Sequence, residues 1–119
     1  MDEANEPGDL PERVRRAVRR VPPGTVVTYG DIAELVDTGP RQVGRIMATD
    51  AADTPWWRVV NAEGRISNAY GPELQRAKLI AEGVAVSADL RLDLAAYDAE
   101  ELVFARLSAR RSQRPRKVG

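Results

Sequence analysis

Runs with helical apolar spacing alternate along this chain with short breaks carrying proline or glycine. Leu10, Val14, Ala17, Val18 and Val21 recur at three- and four-residue intervals and predict a helix over about Pro11–Val21. Pro11 suits a first-turn position, and Glu12 complements the helix dipole there. The other face carries Arg13, Arg15, Arg16, Arg19 and Arg20 and reads as a solvated face. Pro22-Pro23-Gly24 ends this helix, and Thr25-Val26-Val27 is a short extended piece. Thr28 opens a second helix, with Asp31 in the place of the usual Glu of a capping box. Its apolar positions are Ile32, Ala33, Leu35 and Val36. Asp37-Thr38-Gly39-Pro40 breaks it. A third helix follows from Pro40 to Ala48, with Val43, Ile46 and Met47 inward and Arg41, Gln42 and Arg45 outward. Two short helices joined by a tight glycine-containing turn make a helix-turn-helix pattern.

After a polar loop, Thr49–Thr54, Val59-Val60 reads as a buried strand and Asn61–Gly64 as a turn. A further helix is predicted over Pro72–Glu82. It is apolar at Leu74, Ala77, Leu79 and Ile80 and capped by Gly83. Val84–Val86 and Leu90–Leu94 are expected to pair as short strands, and a tail helix is expected from Asp98 to Arg111. The expected fold is mainly α with short strands, a winged-helix-like helix-turn-helix domain over residues 10–94. A disordered acidic N-terminus (1–9) precedes it, and a helical then basic extension (95–119) follows.

Composition narrows the chemistry. The 119 residues suit one domain, and no apolar run approaches the roughly 18 residues of a membrane span. The N-terminus lacks a signal peptide's basic and apolar regions, so a cytoplasmic location is expected. The chain has no Cys and no His, which excludes thiolate chemistry, disulfides, Cys/His zinc sites and imidazole catalysis. No Ser-Lys or paired-carboxylate arrangement stands out. Formal net charge is zero but unevenly spread. Five acids lie in the first twelve residues, and six bases lie between Arg106 and Lys117. This balance does not suit a protein that coats nucleic acid, yet it leaves room for a local basic face.

Trp56 and Trp57, the only tryptophans, stand adjacent within Pro55-Trp56-Trp57-Arg58-Val59-Val60. From a strand, neighbouring side chains point to opposite faces. At least one indole is therefore expected to face a cleft or a partner. On these residues alone, a winged-helix transcription regulator reading major-groove base edges and a small partner-binding domain both stand.

Val21-Pro22-Pro23-Gly24-Thr25-Val26-Val27-Thr28-Tyr29-Gly30-Asp31-Ile32-Ala33 resembles the start of the DNA-binding domain of the O6-alkylguanine-DNA alkyltransferases. Arg41-Gln42-Val43-Gly44 resembles that family's recognition helix. Pro55-Trp56-Trp57-Arg58-Val59-Val60 stands where the family has Pro-Cys-His-Arg-Val-(Val/Ile). Gly64 and Glu82-Gly83-Val84 continue the match, which covers about residues 12 to 84. Trp56 occupies the nucleophile's place and Trp57 that of its activating histidine. Indole cannot accept an alkyl group as a thiolate does, so the chain resembles the non-catalytic alkyltransferase-like proteins.

That resemblance implies non-enzymatic binding of O6-alkylguanine in double-stranded DNA by a monomer, with hand-over to nucleotide excision repair and no cofactor or metal. It implies minor-groove docking of the third helix, with Gly44 allowing close approach. Arg41 would fill the gap left by a flipped base, and Tyr29 would crowd the neighbouring phosphate. Gln42 would lie on the DNA-facing side, and Arg45 would contact phosphate. The lesion pocket would comprise Tyr29, Pro55, Trp56, Arg58, Val59, Ser67 and Tyr70. Trp57 stays open between a place in the pocket and packing beneath it, and its replacement of histidine argues against a hydrogen-bond relay towards Glu82.

Overall fold

The computed structural model describes residues 8–66 and 71–99. Helix α1 (Leu10–Arg19) is capped by Asp9, whose side chain accepts from the Glu12 N–H at 3.0 Å. Its buried face is Val14, Ala17 and Val18. Strand β1 (Val27–Thr28) leads directly into α2 (Tyr29–Leu35). The capping box is complete: Asp31 N–H donates to Thr28 Oγ1 and Thr28 N–H to Asp31 Oδ2, both at 3.0 Å. The α2–α3 turn bends at Asp37, which takes a left-handed φ of 62°, while Gly39 is the extended N-cap of α3. Helix α3 (Pro40–Asp50) buries Val43, Ile46 and Met47 and runs two residues further than the apolar pattern indicated.

Helices α1, α2 and α3 enclose one apolar cluster, built on Val14, Val18, Ile32, Val43 and Trp56. Each fully buried aliphatic side chain there contributes about 2 kcal/mol. The arginine face of α1 is more than a solvated surface. Arg13 Nη1 donates to the Val36 carbonyl at 2.9 Å, Arg15 meets Asp50 at 3.0 Å, and Arg19 meets Asp53 at 3.1 Å. These contacts hold α1 to the end of α2 and to the C-terminal end of α3.

A single 3₁₀ turn (Trp56–Arg58) leads into β2 (Val59–Val60), which pairs parallel with β1 in the register Val27↔Val59 and Thr28↔Val60. The crossover between these parallel strands is the α2–α3 pair itself. On the other edge of β1, Val26 N–H donates to Tyr97 O at 2.8 Å and Ala99 N–H to Val26 O at 3.0 Å. Packing therefore runs past the expected boundary at Leu94, through the short helix α5 (Leu94–Tyr97), to the buried Ala99. Asp98 is extended (φ −62°, ψ 150°), so the helix expected from that residue does not begin there. The rest of that segment lies outside the described residues, as do residues 1–7 of the expected disordered N-terminus.

Two expectations are corrected around α4 (Pro72–Ala81). The first concerns strand pairing. Residues 90–92 pair with 64–66 rather than with 84–86: Ile66 N–H donates to Leu90 O at 3.0 Å and Leu92 N–H to Gly64 O at 2.9 Å. Val84 is unavailable because its N–H closes the C-terminal cap of α4 on Leu79 O at 3.0 Å, beside Gly83 at φ 92°. The second concerns the buried face of α4, which is Gln75 and Leu79, while Leu74 and Ile80 are 49% and 45% exposed. Helix α4 packs on the 3₁₀ turn, which presents backbone carbonyls, and carbonyls require donors rather than methyl groups. Leu79 joins Val26, Val60, Ile66, Val84 and Val86 in a second apolar cluster.

Candidate nucleic-acid interface

Helix α3 presents Arg41, Gln42 and Arg45 as exposed side chains on the face opposite Val43, Ile46 and Met47. Arg15, Arg16 and Arg19 of α1 are all held by carboxylates. Among the described residues, no ion pair holds Arg41 or Arg45. Gly44 lies on the same helix, half-exposed, and a Cβ built there would meet nothing within 4 Å. Packing inside the domain thus gives no reason for glycine, which costs a helix about 1 kcal/mol relative to alanine. An outside surface approaching the backbone does give one. Tyr29 stands half-buried at the first turn of α2 against the first cluster, and burial pushes its phenol pKa up.

The Pro55–Val60 stretch is a turn rather than a continuous strand. Arg58 N–H donates to Pro55 O at 3.1 Å, and Val59 N–H donates to Trp56 O. In a 3₁₀ turn, consecutive side chains diverge by about 120° instead of alternating. The strand-based expectation for the two indoles therefore gives way to a different division. Trp56 is only 6% exposed and joins the first cluster. Trp57 is partly buried at the junction of both clusters. The rings meet edge-on, with centroids 5.7 Å apart and planes at 87°. Pro55 is half-buried at the start of the turn, and Val59 is fully buried behind it. Ser67 and Tyr70 lie outside the described residues.

Glu82, the C-cap of α4, ties these parts together. It accepts from Arg58 Nη2 at 2.6 Å and Arg58 Nε at 3.0 Å, from the Gly24 N–H at 3.0 Å, and from Trp57 Nε1 at 2.9 Å. Arg58 Nη1 also donates to the Val21 carbonyl at 2.9 Å, reaching the end of α1. Burial acts to raise the Glu82 pKa, but the bonds from Arg58, Gly24 and Trp57 outweigh it and lower it from 4.5 to about 2. The indole N–H at position 57 thus bonds Glu82 directly. It makes the bond as a donor only, with no acceptor nitrogen to pass a proton onward. Arg58 faces inward to hold the turn.

Gln75 escaped the sequence reading. It is 1% exposed and donates through Nε2 to Trp57 O at 3.0 Å and Val59 O at 3.1 Å. Its position four residues before Leu79, on one helical face, was the available signal. Lys78 was also missed; its Nζ lies 4.6 Å from the centre of the Trp57 ring.

No helix among the described residues is long and apolar enough to cross a membrane. Residues 9–84 match the family described as 6-O-methylguanine DNA methyltransferase, DNA binding domain. The chain is 44% identical over 94 residues to the DNA base-flipping protein of Escherichia coli, covering 74% of this chain and 72% of that one. It is 40% identical over 81 residues to Alkyltransferase-like protein 1 of Schizosaccharomyces pombe, covering 62% and 75%. The crystal structure of S. pombe Atl1 in complex with damaged DNA containing O6-carboxymethylguanine superposes with a TM-score of 0.69 at 34% identity. That match covers 82% of this chain and 95% of the other. With this match, and with no cysteine in the chain, the chain belongs to the alkyltransferase-like, base-flipping branch of the 6-O-methylguanine DNA methyltransferase DNA-binding-domain family.

Proposed function

We propose that this protein binds O6-alkylguanine in double-stranded DNA, turns the lesion out of the stack and holds it without chemistry, marking it for nucleotide excision repair. The observation that carries the reading is Trp56 on a turn braced by Arg58, Glu82 and Gln75, in a chain without cysteine. Exposed Arg41, Gln42 and Arg45 beside the open Gly44 backbone support docking of α3 against a groove, in this reading the minor groove. Turning a base out costs a few kcal/mol. Arg41 offsets part of this, because a planar guanidinium stacks in the gap and hydrogen-bonds the orphaned base. Tyr29 crowds the target nucleotide's phosphate, and Arg45 contacts phosphate.

Trp56 forms a wall of the pocket and contacts the alkyl group, gaining about 25 cal/mol per Å² of apolar surface covered. Pro55 shapes the rim, Arg58 and Val59 support it from behind, and Ser67 and Tyr70 belong to the loop that closes one side. The protein acts as a monomer wherever DNA is, in the cytoplasm and on the nucleoid if the cell is bacterial. Binding to matched duplexes carrying guanine or O6-methylguanine, at one fixed salt concentration, tests this function. Tighter binding of the lesion with the alkyl group left on the DNA is the expected result. Equal affinity for both duplexes overturns lesion reading, and loss of the alkyl group overturns the non-enzymatic part.

A further inference from the structure

Trp57 is held by groups of its own turn and of α4. Its N–H donates to Glu82 at 2.9 Å, and its carbonyl accepts from Gln75 Nε2 at 3.0 Å. Lys78 Nζ and the Arg58 guanidinium carbon lie 4.6 and 5.2 Å from its ring centre. Its ring meets Trp56 edge-on. The ring is therefore fixed to α4 by a charge-assisted bond, and cations lie near it. Trp56 rests against a stop that α4 holds still.

We propose that Trp57 is a positioning residue for lesion reading: anchored to Glu82, it sets the angle of the Trp56 ring before DNA arrives. This rests on reading the Trp56 turn as the lesion pocket. A surface already in place binds more tightly than one that must be ordered on contact. The consequence falls on discrimination: freeing Trp57 weakens binding of the lesion and leaves the contacts of α3 with undamaged DNA intact.

Two substitutions isolate the anchor. Trp57→Phe keeps an aromatic ring for the cations and removes the N–H. Trp57→His restores a donor, since the imidazole overlies the five-membered ring of indole and places Nε2 near Nε1. Either change leaves Trp56 as the sole tryptophan, so fluorescence anisotropy decay reports that ring alone. Lys78→Gln is a surface variant that removes one cation and leaves the anchor.

The measurements are affinities for guanine and O6-methylguanine duplexes at one salt concentration, with Trp56 anisotropy. Trp57→Phe is expected to lose about tenfold in preference for the lesion, the size of effect expected from a hydrogen bond to a charged group. Its binding to undamaged DNA stays unchanged, its Trp56 ring moves faster, and Trp57→His recovers most of both properties. Lys78→Gln loses about threefold. Unaltered preference in Trp57→Phe, or equal losses on both duplexes, overturns the inference while wild-type preference upholds the lesion reading. A wild-type protein without preference removes the lesion reading itself.

Discussion

Arg58 and Glu82 meet with Nη2 2.6 Å from Oε2, and their side chains are only 12% and 15% exposed. Arg58 belongs to the turn after Trp56, and Glu82 ends α4, 24 residues later. The same carboxylate holds Gly24 and Trp57, and the same guanidinium holds Val21. One ion pair thus joins the end of α1, the Trp turn and the end of α4. A buried pair contributes little beyond a well-packed apolar substitute, but losing one partner is expensive because the other charge stays behind.

Acid sensitivity follows from the lowered Glu82 pKa. A carboxyl held at about 2 against an ordinary 4.5 contributes stability that is fully present above 4.5 and is lost as pH falls through 2. Thermal melts of wild type and Glu82→Gln should differ by a constant amount above about pH 5 and converge between 4.5 and 2. With no histidine in the chain, no side chain of ordinary pKa titrates between about pH 5 and 8. Melting temperature should be flat across that range.

Gln75→Leu keeps the volume of the side chain and removes its donor. The carbonyls of Trp57 and Val59 then lose a bond each in a buried place. Denaturant unfolding should register a loss of about 1–3 kcal/mol. An unchanged midpoint would mean that water replaces the amide without penalty.

Gly64→Ala should be among the most damaging changes far from the interface. A Cβ there would lie 2.4 Å from the Leu92 carbonyl oxygen, on a backbone already at φ 75°. The left-handed conformation alone costs about 1–2 kcal/mol with a side chain. The contact also forces the 64–66 and 90–92 segments apart. Urea unfolding should show a loss of at least about 2 kcal/mol, measured against Gly44→Ala, where the space is open and stability should hold or rise slightly.

The two exposed arginines of α3 should separate by what they recognise. Arg41→Ala is expected to weaken lesion binding by roughly 2 kcal/mol, about thirtyfold, because the gap in the stack is left unfilled. Arg45→Ala should weaken damaged and undamaged duplexes alike and lower the salt slope by about 1. A salt titration of both variants on both duplexes distinguishes these outcomes.

Much of this molecule was legible in its sequence because much of it is local. Pro11 in the first turn of α1, the Thr28–Asp31 box, Pro40 opening α3 and Gly83 closing α4 all act within a few residues, where pattern and chemistry coincide. The absence of cysteine and histidine is likewise a property of the sequence alone, and it removes thiol chemistry whatever the fold. The outward face of α3 was readable for the same reason, since Val43, Ile46 and Met47 define its opposite.

The tertiary structure decided the rest. Spacing on α4 favoured Leu74 and Ile80 as core, yet Gln75 is buried, because the surface that α4 covers is a row of backbone carbonyls. The arginines of α1 resembled a solvated face until Asp50 and Asp53 arrived from beyond α2. Whether Trp57 points to a ligand or to a carboxylate depends on Glu82, 25 residues away, and on a 3₁₀ turn that replaces strand alternation with threefold divergence. Hydrophobic periodicity records which residues avoid water, but it does not record which distant polar group each must satisfy. That distinction separates the Pro-Trp-Trp-Arg stretch, legible in the sequence, from the partner of Trp57, Glu82, which only the fold supplies.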